Sequence, residues 1–107
     1  MDFDINEVLA EMLDAIKGSV KDDWKFVKDN ANNFLQNRKE RLELLASLRV
    51  TNQINDEFFK KRLADEQDIL SSELHSIAII GKVVAQNAAN AAIAVLEKAV
   101  MAALHLA

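Results

Sequence analysis

Ser71 and His75 are the residues whose types and spacing come nearest to a catalytic pair. Four positions apart on a helix they share a face, where an imidazole can take the proton of a hydroxyl nucleophile. Such a pair also needs an acid to orient the histidine, donors for an oxyanion and a cleft for substrate. The sequence around it supplies none of these at a usable spacing, and a straight helix surface offers little concavity. The pair reads as exposed helix surface, and the chain as a non-enzyme.

Metal chemistry is the next possibility, because helical bundles hold dinuclear centres with paired carboxylates and Glu-x-x-His. Here Glu73 and His75 are two residues apart and point to different sides of a helix. His105 sits near the end of its helix, and Glu7, Glu11 and Asp14 form an acidic outer face. There is no cysteine, which excludes a disulfide framework, a thiolate metal site and a cysteine nucleophile. There is no glycine-rich phosphate loop either. No cofactor and no metal site are expected.

Charge marks a binding surface more clearly than a reaction. Residues 38–62 carry seven basic and four acidic groups, net +3, inside a chain of net charge −4. Arg38, Lys39 and Arg41 approach Lys60, Lys61 and Arg62 if the chain turns between them, making a candidate partner-contact patch. Salt bridges to Glu40, Glu43, Asp65 and Glu66 are the plain role of those charges; an acidic partner or lipid head groups are the other. The flanking segments are acidic: residues 1–37 hold eight acidic and four basic groups. A chain with that balance is a poor ligand for nucleic acid. Gln86, Asn87 and Asn90 interrupt an apolar helix, where a buried amide would fix register between helices.

The elements that position these residues are helices. The chain has 107 residues, no proline and two glycines, Gly18 and Gly81, and no segment alternates long enough to read as a strand. One all-α domain, 1–107, is predicted. Apolar residues recur in steps of three and four through Ile5, Met12, Ile16, Val20, Trp24, Val27, Ala31, Leu35, Leu42 and Leu45. Asp4, with Glu7 three residues on, is the predicted N-cap. Arg38 interrupts this stripe. Val50 to Asn55 reads as a turn, with Asn55 capping a second helix before Asp56 and Glu57.

The second stripe runs through Phe59, Leu63, Gln67 or Leu70, Leu74, Ile77, Gly81, Val84, Ala88, Val95 and Ala102. With the turn near residue 52, positions whose numbers sum to about 105 face one another. Leu42 then meets Leu63, Leu35 meets Leu70, Ile16 meets Ala88, and Trp24 falls opposite Gly81 as bulk against notch. Trp24, Gly81, Ile77, Val84, Ala88 and Val95 are the core positions this register predicts. Two continuous helices of this kind would be about 65–70 Å long. Ile69, Ile80, Val83, Ile93, Leu96, Val100 and Leu104 form a second apolar set that one partner helix does not cover. The expectation is therefore a long antiparallel helical hairpin that self-associates, as a dimer, into a four-helix bundle. The alternative is a compact monomeric up-down bundle with breaks near Gly18, Asn30–Asn33 or Gly81.

The leading functional expectation is a self-associating bundle acting as an assembly or partner-binding module, a homo-oligomer with a possible protein partner. Residues 42–66 resemble, in their Leu-x-x-Leu and Ile-Asn-Asp-Glu-Phe-Phe spacing, short helical hairpins appended to some bacterial proteins for oligomerisation. The small hairpins of type VII export have a similar size but carry Trp-x-Gly at the turn, where this chain has Thr51-Asn52-Gln53. A membrane-active role for residues 77–106 and a ferritin-like metal or ligand bundle are the alternatives. The uncharged run 83–96 is 14 residues, short of the ~20 that span a bilayer, and the N-terminus lacks a signal-peptide pattern. Membrane insertion is not expected, and the cytoplasm is the default compartment.

Overall fold

A computed structural model describes residues 3–77 and 79–106, apart from the side chain of Leu106. Ala78 and that side chain belong to the predicted apolar segment and lie outside the description. Among the described residues five helices follow in order: α1 Ile5–Val20, α2 Trp24–Asn37, α3 Lys39–Val50, α4 Asp56–His75 and α5 Lys82–Leu106, with a 3-10 turn Lys21–Asp23 after α1.

Both predicted caps form. The Asp4 carboxylate accepts from the backbone N–H of Asn6 at 2.9 Å and of Glu7 at 3.4 Å. Asn55 Oδ1 accepts from the Phe58 N–H at 2.8 Å, with Asp56 and Glu57 in the first turn of α4. These contacts satisfy N–H groups that no helical carbonyl can reach. The 50–55 turn closes as a Schellman motif. Asn52 adopts φ 60°, its N–H donates to Arg49 O at 3.1 Å, and Gln53 N–H donates to Leu48 O at 2.8 Å.

The predicted hairpin exists, but it is folded in half. Along its length α1 packs on α5, while α2 and α3 pack on α4, as the register requires. The chain then reverses at Lys21–Asp23 and again at residues 76–81, which adds α1 against α2 and α3, and α5 against α4 and α3. Four helical columns result, with α2 and α3 forming one of them. The molecule measures 41 × 23 × 20 Å, far from the 65–70 Å of two unbroken helices. One chain thus builds a four-helix bundle, the compact up-down alternative with breaks near Gly18 and Gly81.

The breaks are not quite where sequence places them. Gly18 stays inside α1, and the reversal falls three residues later, where Lys21 adopts φ 55° and ψ −120°. A step of four from Val20 to Trp24 keeps the stripe in phase whether the helix continues or turns, so periodicity is blind to it. Asn30–Asn33 remain helical, and the bend comes at Arg38, φ −100° and ψ 3°. The reversal at 76–81 ends at Gly81, a break point of the compact alternative, although Ile77, Ile79 and Ile80 keep the stripe apolar there. Ile80 is buried and Ile77 packs on the core, so this turn continues the stripe it ends.

Folding back buries four of the seven residues of the second apolar set and leaves Ile69 and Val83 exposed. Ile80, Ile93, Leu96 and Val100 are buried, and Ala85, Ala88, Ala89 and Ala92 are fully buried beside them. Small residues there let α1, with Leu9, Met12 and Ile16 inside, approach α5 closely. The bulk-against-notch pairing is corrected. Gly81 is exposed, with nothing within 4 Å of the place a Cβ would take, and Trp24 packs partly buried on the core elsewhere. Both residues sit at reversals, where the long-hairpin register ends. Of the other core positions, Ala88 is buried, Ile77 and Val95 are half-buried against the core, and Val84 is 37% exposed.

Candidate functional site

The α3–α4 hairpin gathers the basic residues around one buried acid. Glu66 lies at a core position of α4, after Phe59 and Leu63 and before Leu70, and its side chain is only 6% exposed. Arg38 reaches it from the bend between α2 and α3. Its Nε donates to Oε2 at 2.7 Å and its Nη2 to Oε1 at 2.8 Å, a two-pronged pair. Arg41 Nε donates to Oε1 at 2.9 Å from one helical turn further along. Burial works against ionisation of Glu66, but the hydrogen bonds and charges of Arg38, then Arg41, outweigh it and hold the carboxyl below its usual range. The same hydrogen bond to Glu66 pushes the Arg38 guanidinium up.

Arg38 is legible as an interruption of the first stripe and Glu66 as one of the acids expected to pair with the patch; the burial of Glu66 is not. The spacing 59, 63, 66, 70, 74 puts Glu66, not Gln67, on the buried face, and residues 38 and 66 face each other in the predicted register. Two polar interruptions meeting across a hairpin was the available signal.

The remaining members of the patch stay apart from this cluster. Lys60 Nζ pairs with Asp56 at 3.1 Å, and Arg62 Nη1 lies 3.5 Å from Asp65 Oδ2. Lys39 and Lys61 make no ion pair among the described residues. Of the acids expected to neutralise the patch, Asp65 and Glu66 do so. Glu40 and Glu43 have no such bond among the described residues.

Beside Glu66 the surface opens into an apolar groove of about 240 Å³ between α3 and α4. Leu44, Leu45 and Leu48 form one wall, Phe58 the other, and Arg41 and Arg62 stand at its margins. Leu44 is 60% and Phe58 45% exposed, and unlike the exposed Phe26 and Val83 they lie together on one groove. The Arg62 guanidinium lies over the Phe58 ring, 5.3 Å from its centre.

A second, polar groove of about 470 Å³ separates α4 from α5. Gln67, Asp68, Ser71, Ser72 and His75 face Lys82, Gln86 and Asn90 across it. Ser71 and His75 do share this surface, but no hydrogen bond joins them among the described residues. His75 Nδ1 instead donates to the Ile80 carbonyl at 3.2 Å, tying the 76–81 turn to the end of α4. Gln86, Asn87 and Asn90 are all exposed, so they fix no register within the chain. Among the described residues no three histidine, aspartate or glutamate side chains gather as metal ligands.

Lys82–His105 is long and apolar enough to cross a membrane by length and composition alone, with mean hydropathy 1.3, a test that the core helix of a bundle also meets. Its apolar face packs on α1 and α4. Against known proteins, no family model matches the chain, and neither a curated protein nor a solved structure matches it.

Proposed function

We propose that this chain is a non-enzymatic helical module that works by binding a partner protein on the face shared by α3 and α4. The observation that carries this reading is the groove walled by exposed Leu44 and Phe58. Large side chains left in water beside a filled core cost stability that the fold could recover by turning them inward. They sit on two packed helices, the rigid kind of support that a precise contact surface needs. Arg38, Arg41 and Glu66 lock the two helices together beneath it.

The test is to pan a displayed library of helical peptides on the wild-type chain. Binders should lose the Leu44→Asp/Phe58→Asp double variant and keep the Ser71→Ala/His75→Ala variant. Binders indifferent to the first variant would overturn the reading.

A membrane-active role has one observation in its favour, the length and apolar composition of α5. It requires α5 to leave its packing against α1, α3 and α4. Leakage of anionic liposomes at neutral pH by the intact protein would support it.

A further inference from the structure

Resting on the partner-binding reading, we infer that the occupant of the α3–α4 groove is an acidic amphipathic helix of another protein. The groove runs between two antiparallel helices joined by a tight turn, and the depression between two such helices is shaped to take a third. Leu44, Leu45, Leu48 and Phe58 offer apolar contact along it, while Arg41 and Arg62 mark its margins. At about 240 Å³ it accepts anchor side chains of a helix and does not enclose a metabolite.

Charge selects the partner. Glu66 is already satisfied by Arg38 and Arg41, so the three together leave one net positive charge beside the groove. Arg41 uses only Nε in that pair and its side chain is 63% exposed, which leaves the outer edge of the guanidinium to fork onto a carboxylate. Arg62 is 48% exposed and its bond to Asp65, at 3.5 Å, is long. Lys61, the residue before Arg62, is exposed on the far side of Phe58. A second copy of this chain brings the same arginines to the same place, and like charges disfavour that contact. An acidic helix with large apolar residues at i, i+4 and i+7 matches both the groove and its rim.

Fluorescence anisotropy with two labelled peptides of about 20 residues tests this. Both carry the same leucine and phenylalanine anchors. One is flanked by glutamates, the other by lysines. The acidic peptide should bind the wild-type chain at least about tenfold tighter at low salt, an advantage that shrinks as salt screens the rim. Arg62→Glu lies on the surface and should shift preference towards the lysine peptide, while Leu44→Asp should weaken both. Equal binding of the two peptides would refute the acidic partner and leave the groove reading standing. Binding of neither refutes both. Light scattering at twice the chain mass, reduced to the monomer by Leu44→Asp, would make a second copy the occupant and overturn the inference.

Discussion

Arg38 and Glu66 close a two-pronged pair across the α2–α4 junction, at 2.7 and 2.8 Å, where each is the one polar break in its own apolar stripe. The pair ties the bend between α2 and α3 to the buried face of α4, and Arg41 completes it from the first turn of α3.

Removing that acid should destabilise the bundle in a pH-dependent way. Glu66→Gln keeps the shape and loses the charge, so a loss of about 1–3 kcal/mol is expected at neutral pH. The sign follows from the lowered carboxyl pKa of Glu66 in the fold. Its stabilising effect is complete above the unfolded-state value and disappears as pH falls through the lower folded value. Urea melts of the two proteins should thus diverge at neutral pH and converge in acid. A gap of constant size down to pH ~2 would mean the charge of Glu66 contributes nothing.

The first reversal supplies a pair of opposite glycine substitutions. Lys21 holds φ 55° and ψ −120°, a region that a Cβ makes costly, whereas Gly18 spends its freedom inside a helix. Lys21→Gly should raise stability by about 1 kcal/mol. Gly18→Ala should add up to about 1 kcal/mol, since nothing lies within 4 Å of the new methyl group. Thermal melts check both, and a fall in melting temperature for Lys21→Gly would show that α1 and α2 do not part there.

How far the sequence discloses the fold is clearest at these same residues. Caps at Asp4 and Asn55, the turn at 50–55 and the packing of α2 and α3 on α4 follow from local chemistry and a simple register. The choice between the straight hairpin and the folded-back bundle does not, because Val20 to Trp24 and Leu74 to Ile80 satisfy a helical period and a turn alike. The groove was only half visible: its arginines stood out as charge, while Leu44 and Phe58 passed as ordinary members of apolar helices. Exposure is a property of the packed whole, and a leucine carries no local mark of which side it will take.

The fold-back changes the expected mass in solution. The argument for a dimer was that a second apolar set of seven residues needed a second chain; in the folded molecule Ile80, Ile93, Leu96 and Val100 are buried by the same chain, while Ile69 and Val83 stay exposed. A monomer of 12.0 kDa is therefore expected from light scattering at micromolar concentration.

The second reversal should respond to a cap and not to bulk. Gly81 immediately precedes α5, and its carbonyl accepts from the Ala85 N–H at 2.9 Å, the position of an N-cap. Glycine offers the first N–H groups of α5 no side-chain acceptor, and the first turn of α5 contains no acidic residue to meet the helix dipole. The site is open, since no atom lies within 4 Å of a new Cβ. Gly81→Asp should therefore stabilise by about 0.5–1 kcal/mol, through one capping hydrogen bond and a favourable charge. Gly81→Leu, which a notch filled by Trp24 would punish by about 1–3 kcal/mol of overpacking, should instead lose only the modest advantage of glycine over an aliphatic cap. Chemical denaturation of the two variants separates the cases. A large loss in Gly81→Leu together with no gain in Gly81→Asp would restore Trp24 to the notch and undo the reversal at residues 76–81.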